Sequence, residues 1–148
     1  MPPWGAVKGF GDFKSDLGLS QEEIGRIADW VEGGAPEGEP VYLPGSMGRR
    51  PEAETRAART RALQVRSGTV LNQPVSILTI RPKDLADGAA MKVVAETPEG
   101  ALEPLLWTLP FRSKYRRTYR YAQPVKLPAG TRIRVSPAGG VFELGVKD

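Results

Sequence analysis

From Ala62 onward the apolar residues recur with a period of two, in short runs, and this restricts the fold more than any other feature of the chain. A period of two sends alternate side chains to opposite faces of an extended strand. The runs are Ala62–Arg66, Val75–Ile80, Met91–Glu96, Leu102–Leu109, Tyr115–Tyr121, Thr131–Val135 and Val141–Val146, rich in Val, Ile, Leu, Thr and Tyr. Turn signals at Asp87-Gly88, Pro98-Glu99-Gly100 and Pro128-Ala129-Gly130 separate them. About seven short antiparallel strands at this spacing predict a mainly β fold, an antiparallel β-sandwich of jelly-roll-like type over residues 62–148. Val75–Ile80 is largely apolar on both faces and reads as a central strand. Pro124 and Pro128 have no N–H for the ladder and fit an edge or a strand end.

The N-terminal part follows a different pattern. Met1-Pro2-Pro3-Trp4 is a stiff arm, because each proline fixes its own φ near −65° and pushes the preceding residue towards extended geometry. Stiff presentation of a thioether suits a metal ligand, and it equally suits a Met that packs. Gly5 to Asp16 sets Gly5, Gly9 and Gly11 among Phe10 and Phe13, a compact loop held by its aromatics; the G-K-[ST] ending of a phosphate-binding loop is missing. A helix is then predicted over residues 20–32. Ser20 is its N-cap, Glu23 completes a capping box, Leu19 can pack on Ile24, and Glu22 and Glu23 suit the positive end of the dipole. Ile24, Ile27, Ala28 and Val31 follow at helical spacing, with Trp30 widening the stripe and Gly33-Gly34 and Pro36 ending it. One amphipathic helix of a dozen residues is marginal alone. It needs a partner surface, either the rest of this chain or a segment outside it.

Residues 41–61 read as a linker, poor in the side chains that fix a segment in a core. Its arginines, at 49, 50, 56, 59 and 61, have no interleaved aromatic residue to stack a base, so a solvated tether is expected.

The chain has 148 residues, of which 40% are hydrophobic, enough for one domain with a real core. No run of about 18 apolar residues is present, and the N-terminus lacks the basic-then-apolar pattern of a signal peptide. Cysteine and histidine are both absent. That excludes a disulfide, a thiol nucleophile, an iron–sulfur cluster, C-x-x-C-H haem attachment, an imidazole-based triad and an ordinary zinc or copper site within this chain. As it stands, the chain is not expected to be an enzyme, and no cofactor is expected in it. The net charge of +4 permits an acidic partner without requiring one.

One strand carries a candidate binding face. If Tyr115–Tyr121 is extended, Tyr115, Arg117, Tyr119 and Tyr121 share one side and form a stacking platform with a basic edge for single-stranded nucleic acid. The competing reading packs these tyrosines in the sandwich and leaves Arg116 and Arg120 solvated. It is preferred, since the basic excess is small and no RNP-like or KH-like loop accompanies the strand. Among carboxylates, turn chemistry accounts for Asp84 and Asp87, and solvated faces for Glu96, Glu99 and Glu103.

Met1-Pro2-Pro3-Trp4, Gly9-Phe10-Gly11-Asp12-Phe13, Leu19-Ser20-Gln21-Glu22-Glu23-Ile24 and Trp30-Val31-Glu32-Gly33-Gly34-Ala35-Pro36-Glu37-Gly38 together resemble the C-terminal half of bacterial c-type cytochrome domains, over residues 1–40. The resemblance implies that Met1 is the axial sulfur ligand of a haem iron. Farther on, Ile77–Pro82, Gly88-Ala89-Ala90-Met91-Lys92-Val93, Pro98-Glu99-Gly100, Pro104-Leu105-Leu106-Trp107, Tyr119–Val125 and Leu127-Pro128-Ala129-Gly130-Thr131-Arg132-Ile133 resemble the C-terminal β domain of copper type II, ascorbate-dependent monooxygenases. In that family a His-x-His pair precedes the turn glycine. Lys83 and Leu85 occupy those positions here, so the resemblance implies a scaffold without its copper.

Taken together, these resemblances imply the C-terminal part of a periplasmic or exported cytochrome c-like electron-transfer protein. Haem c belongs to the parent family, and the haem-binding N-terminal half, or a redox partner protein, is the expected partner. The rival expectation is a freestanding β-sandwich binding an acidic polymer, such as single-stranded nucleic acid, or a protein.

Overall fold

The computed structural model describes residues 5–14, 18–39 and 60–147. The chain divides into two compact units, Leu19–Ala57 and Met1–Gly18 with Ala58–Asp148. Met1 and most of the expected linker lie outside the described residues.

In the larger unit, seven strands form a β-sandwich, as the alternation predicts. They are β1 Arg61–Val65, β2 Val75–Asp84, β3 Lys92–Glu96, β4 Leu102–Trp107, β5 Tyr119–Leu127, β6 Arg132–Ser136 and β7 Val141–Lys147. One antiparallel sheet runs β1-β7-β2-β5 and the other β4-β3-β6. β2 is indeed central, between β7 and β5, and β5 with its Pro124 is an edge strand. Strand alternation places Ile133 and Val135 of β6, and Phe142, Leu144 and Val146 of β7, in one continuous core with Ile77, Ile80, Val93, Leu105 and Leu106. Burying each such side chain fully contributes about 1.5–3 kcal/mol. Two register shifts tune this alternation. One between Ile77 and Thr79 lets both Ile77 and Ile80 reach the core, and one opposite Val93 and Val94 leaves Leu105 and Leu106 buried side by side.

The two buried threonines are hydrogen-bonded. The Thr108 hydroxyl accepts from Met91 N–H at 2.8 Å, and the Thr131 hydroxyl donates to the Pro128 carbonyl at 2.7 Å. The turn glycines Gly88, Gly100 and Gly130 all adopt positive φ, the conformation that makes them turn signals.

In the smaller unit, α1 spans Gln21–Glu32. Its capping box is complete: Glu23 N–H donates to the Ser20 hydroxyl at 3.2 Å, and Ser20 N–H donates to Glu23 Oε2 at 2.7 Å. At the other end Ala35 N–H reaches the Trp30 carbonyl and Gly34 N–H the Val31 carbonyl, a Schellman ending with Gly34 at φ 88°. Trp30 Nε1 also donates to the Pro36 carbonyl at 3.0 Å.

Candidate functional site

The four residues of the candidate platform are not brought onto one exposed face; Tyr119 and Tyr121 pack inward with Arg116 and Arg120 exposed, as the preferred reading has it, and the reason is local. Ser113–Tyr115 is a 3-10 turn, and β5 begins only at Tyr119. Ser113 N–H donates to Asp87 Oδ1 at 2.7 Å, which ties the segment to the Asp87-Gly88 turn instead of to a neighbouring strand. This hydrogen bond, followed by one from the Ser113 side chain, holds the Asp87 carboxyl below its ordinary range, with Arg112 and Arg116 adding smaller contributions. Tyr115 lies on the turn, 38% exposed, with Lys114 over its ring. Arg117 is half-buried. Tyr119 and Tyr121 are each only 4% exposed and face inward, so their rings are not presented for stacking, while Arg116 and Arg120 are exposed. Burial pushes both tyrosine hydroxyls up, and the Glu103 carboxylate pushes Tyr121 further the same way.

What covers the tyrosines is the glycine-rich segment 5–14. It runs as a strap across the side of the sandwich where β4 and β5 are the sheet edges. Val7 N–H donates to the Trp107 carbonyl and Leu109 N–H to the Gly5 carbonyl; Lys14 N–H donates to the Arg120 carbonyl and Ala122 N–H to the Asp12 carbonyl, all at 2.8–2.9 Å. Phe13 sits between Tyr119 and Tyr121, its ring centroid 5.4 and 5.2 Å from theirs. Gly11 is required there, since its φ is +86° and a Cβ would lie 2.7 Å from the Leu105 carbonyl oxygen. The cytochrome resemblance groups residues 5–14 with the helix, whereas their backbone is paired with the sandwich. Sequence reasoning identified an aromatic loop but not its destination, because a Gly-rich segment has no periodicity from which to read a partner.

Below the strap a groove of about 990 Å³ opens, lined among others by Lys8, Phe13, Glu103, Tyr121, Gln123 and Lys126. Its polar groups are of mixed charge. Tyr121 Oη is already engaged, donating to the Leu105 carbonyl at 2.9 Å.

The two positions matching the copper histidines are poor in donors. Leu85 is a core side chain, 7% exposed, and Lys83 Nζ pairs with Glu143 Oε2 at 3.2 Å. These residues do not fit copper. Among the described residues, no three His, Cys, Asp or Glu side chains are grouped to hold a metal ion. A c-type haem does not fit this chain's own donors either, because attachment needs cysteines and the usual proximal ligand is an imidazole.

Helix α1 is the other notable surface. Leu19, Ile24, Ile27, Trp30 and Val31 are each 44–56% exposed, and the helix contains no buried residue. None of its length and caps explains that stripe, since a solvated helix would not need it. Among the described residues, no helix is long and apolar enough to cross a membrane.

Comparison with known proteins gives no match to any family model, curated protein or solved structure.

Proposed function

We propose that this chain is the C-terminal part of a periplasmic cytochrome c-like electron-transfer protein, with a metal-free β-sandwich as its accessory domain and no catalysis of its own. The observation that supports this reading most is the finished but uncovered helix α1. Both ends are fully capped, yet its apolar stripe lies in solvent, as expected of a helix whose packing partner is another polypeptide segment. The resemblance of residues 1–40 to the closing part of a haem domain names that segment: the half that carries the haem attachment. The chain's contribution is then packing by α1 and, from Met1, a sulfur donor. The Lys83–Glu143 pair and buried Leu85 fit a sandwich kept for its scaffold.

The test is the DNA immediately upstream, read in the same frame. A C-x-x-C-H sequence and an export signal are expected. A stop codon just before Met1, with a ribosome-binding site in place, would overturn the reading. The alternative, a freestanding β-sandwich that binds an acidic polymer or protein, is supported by the surplus of cations on the outer face of the four-stranded sheet.

A further inference from the structure

The outward face of the sheet β1-β7-β2-β5 is basic. Cross-strand register sets Lys126 and Lys147 on either side of Ser76, and Arg120 and Gly145 on either side of Thr79. Arg81 lies opposite Glu143 in the next row. Glu143 is the carboxylate among these rows, and Lys83 already holds it. Arg81, Arg120, Lys126 and Lys147 are exposed and form no ion pair among the described residues. The centre between them is flat because residue 145 is glycine; a Cβ there would run into the Thr79 side chain.

We propose that this face docks an acidic protein surface. Cations two strands apart stand about 10 Å from one another, roughly one Debye length at physiological salt, so they repel weakly when bare and act together on an opposing acidic patch. Such a patch raises association rates and sets orientation. A protein surface is favoured over single-stranded nucleic acid because the face carries no aromatic ring. Tyr119 and Tyr121, on β5 of this same sheet, point to the core, so the stacking that holds bases is missing. The inference rests on the sandwich alone and is independent of any haem domain.

The test is an NMR titration of the full chain with poly-L-glutamate, at low and at physiological salt. Amide shifts are expected on β2, β5 and β7, with affinity falling as salt rises. The double variant Arg120→Glu/Lys126→Glu should lose about tenfold in affinity, while Arg132→Glu on the other sheet changes nothing. Dispersed amide spectra would show that the double variant is folded. If it is not, Lys147→Gln, which removes one exposed charge, should still weaken binding measurably. Absence of shifts at low salt, shifts confined to the 112–117 loop or to the three-stranded sheet, equal loss for Arg132→Glu, or tighter binding of oligo-dT to the same face would each overturn the proposal.

Discussion

The two units of this chain achieve order by different means. Residues 60–147 hold fourteen Lys or Arg against six Asp or Glu, and their apolar side chains meet in a single core. Residues 18–39 hold six carboxylates against one arginine, and α1 buries nothing. The sandwich is fixed by packing between residues far apart in sequence. The helix depends on local devices: the capping box, the Schellman ending and the exposed Glu22–Arg26 pair at 2.6 Å, each contributing about 0.3–1 kcal/mol. Local devices define where a helix begins and ends, whereas long-range packing decides whether a unit is stable without a partner.

That contrast is open to direct attack. The largest effect is expected from Phe142→Ala, at the centre of the core, which should cost about 3–5 kcal/mol in denaturant unfolding. Trp30→Ala on α1 should change the same transition by less than about 0.5 kcal/mol; a loss comparable to that of Phe142→Ala would mean that the helix stripe is covered after all. Gly11→Ala should cost about 1–3 kcal/mol, since it forces a Cβ against the Leu105 carbonyl at positive φ, and unchanged stability would mean that the strap is dispensable.

Tyr121→Phe removes the hydrogen bond to Leu105 and should cost about 1 kcal/mol near neutral pH. Its alkaline behaviour is more informative. Because the folded hydroxyl is raised above its unfolded value of about 10, its contribution is intact below that pH and is lost as the unfolded chain ionises above it. The variant should therefore lose stability less steeply than the parent above about pH 10, with a residual slope from Tyr119. On the sandwich, the smallest effect belongs to Ser20→Ala. It should cost about 1 kcal/mol of helix, seen as faster amide exchange at Glu23, and leave the sandwich transition unmoved.

Much of the fold was legible because its determinants are local. The alternation in β6 and β7, the turn glycines, the Ser20–Glu23 capping box and the Gly33-Gly34 ending each lie within a few residues of what they specify. The strand expected over Tyr115–Tyr121 starts only at Tyr119, because the alternation of aromatic and basic residues before it imitates a strand. The Asp87–Ser113 hydrogen bond, which converts its first half into a turn, joins residues 26 positions apart. The position of the strap was illegible for the same reason. Phe13 finds Tyr119 and Tyr121 more than a hundred residues later, and no property of Gly9-Phe10-Gly11 signals that pairing. The unpaired cations on the four-stranded sheet became a coherent face only once the register had aligned residues from three separated strands.

The strap also bears on how this protein meets copies of itself. A sandwich with open edges at β4 and β5 would expose two rows of free backbone N–H and C=O groups, a template on which another chain can crystallise into a growing sheet. Segment 5–14 occupies one stretch of each edge, at Trp107–Leu109 and at Arg120–Ala122. On the stretches it leaves bare stand Pro104 and Pro124, which have no N–H to offer. Loss of the strap would therefore do more than loosen the tyrosines: it would bare those stretches of both edges to pairing with another chain.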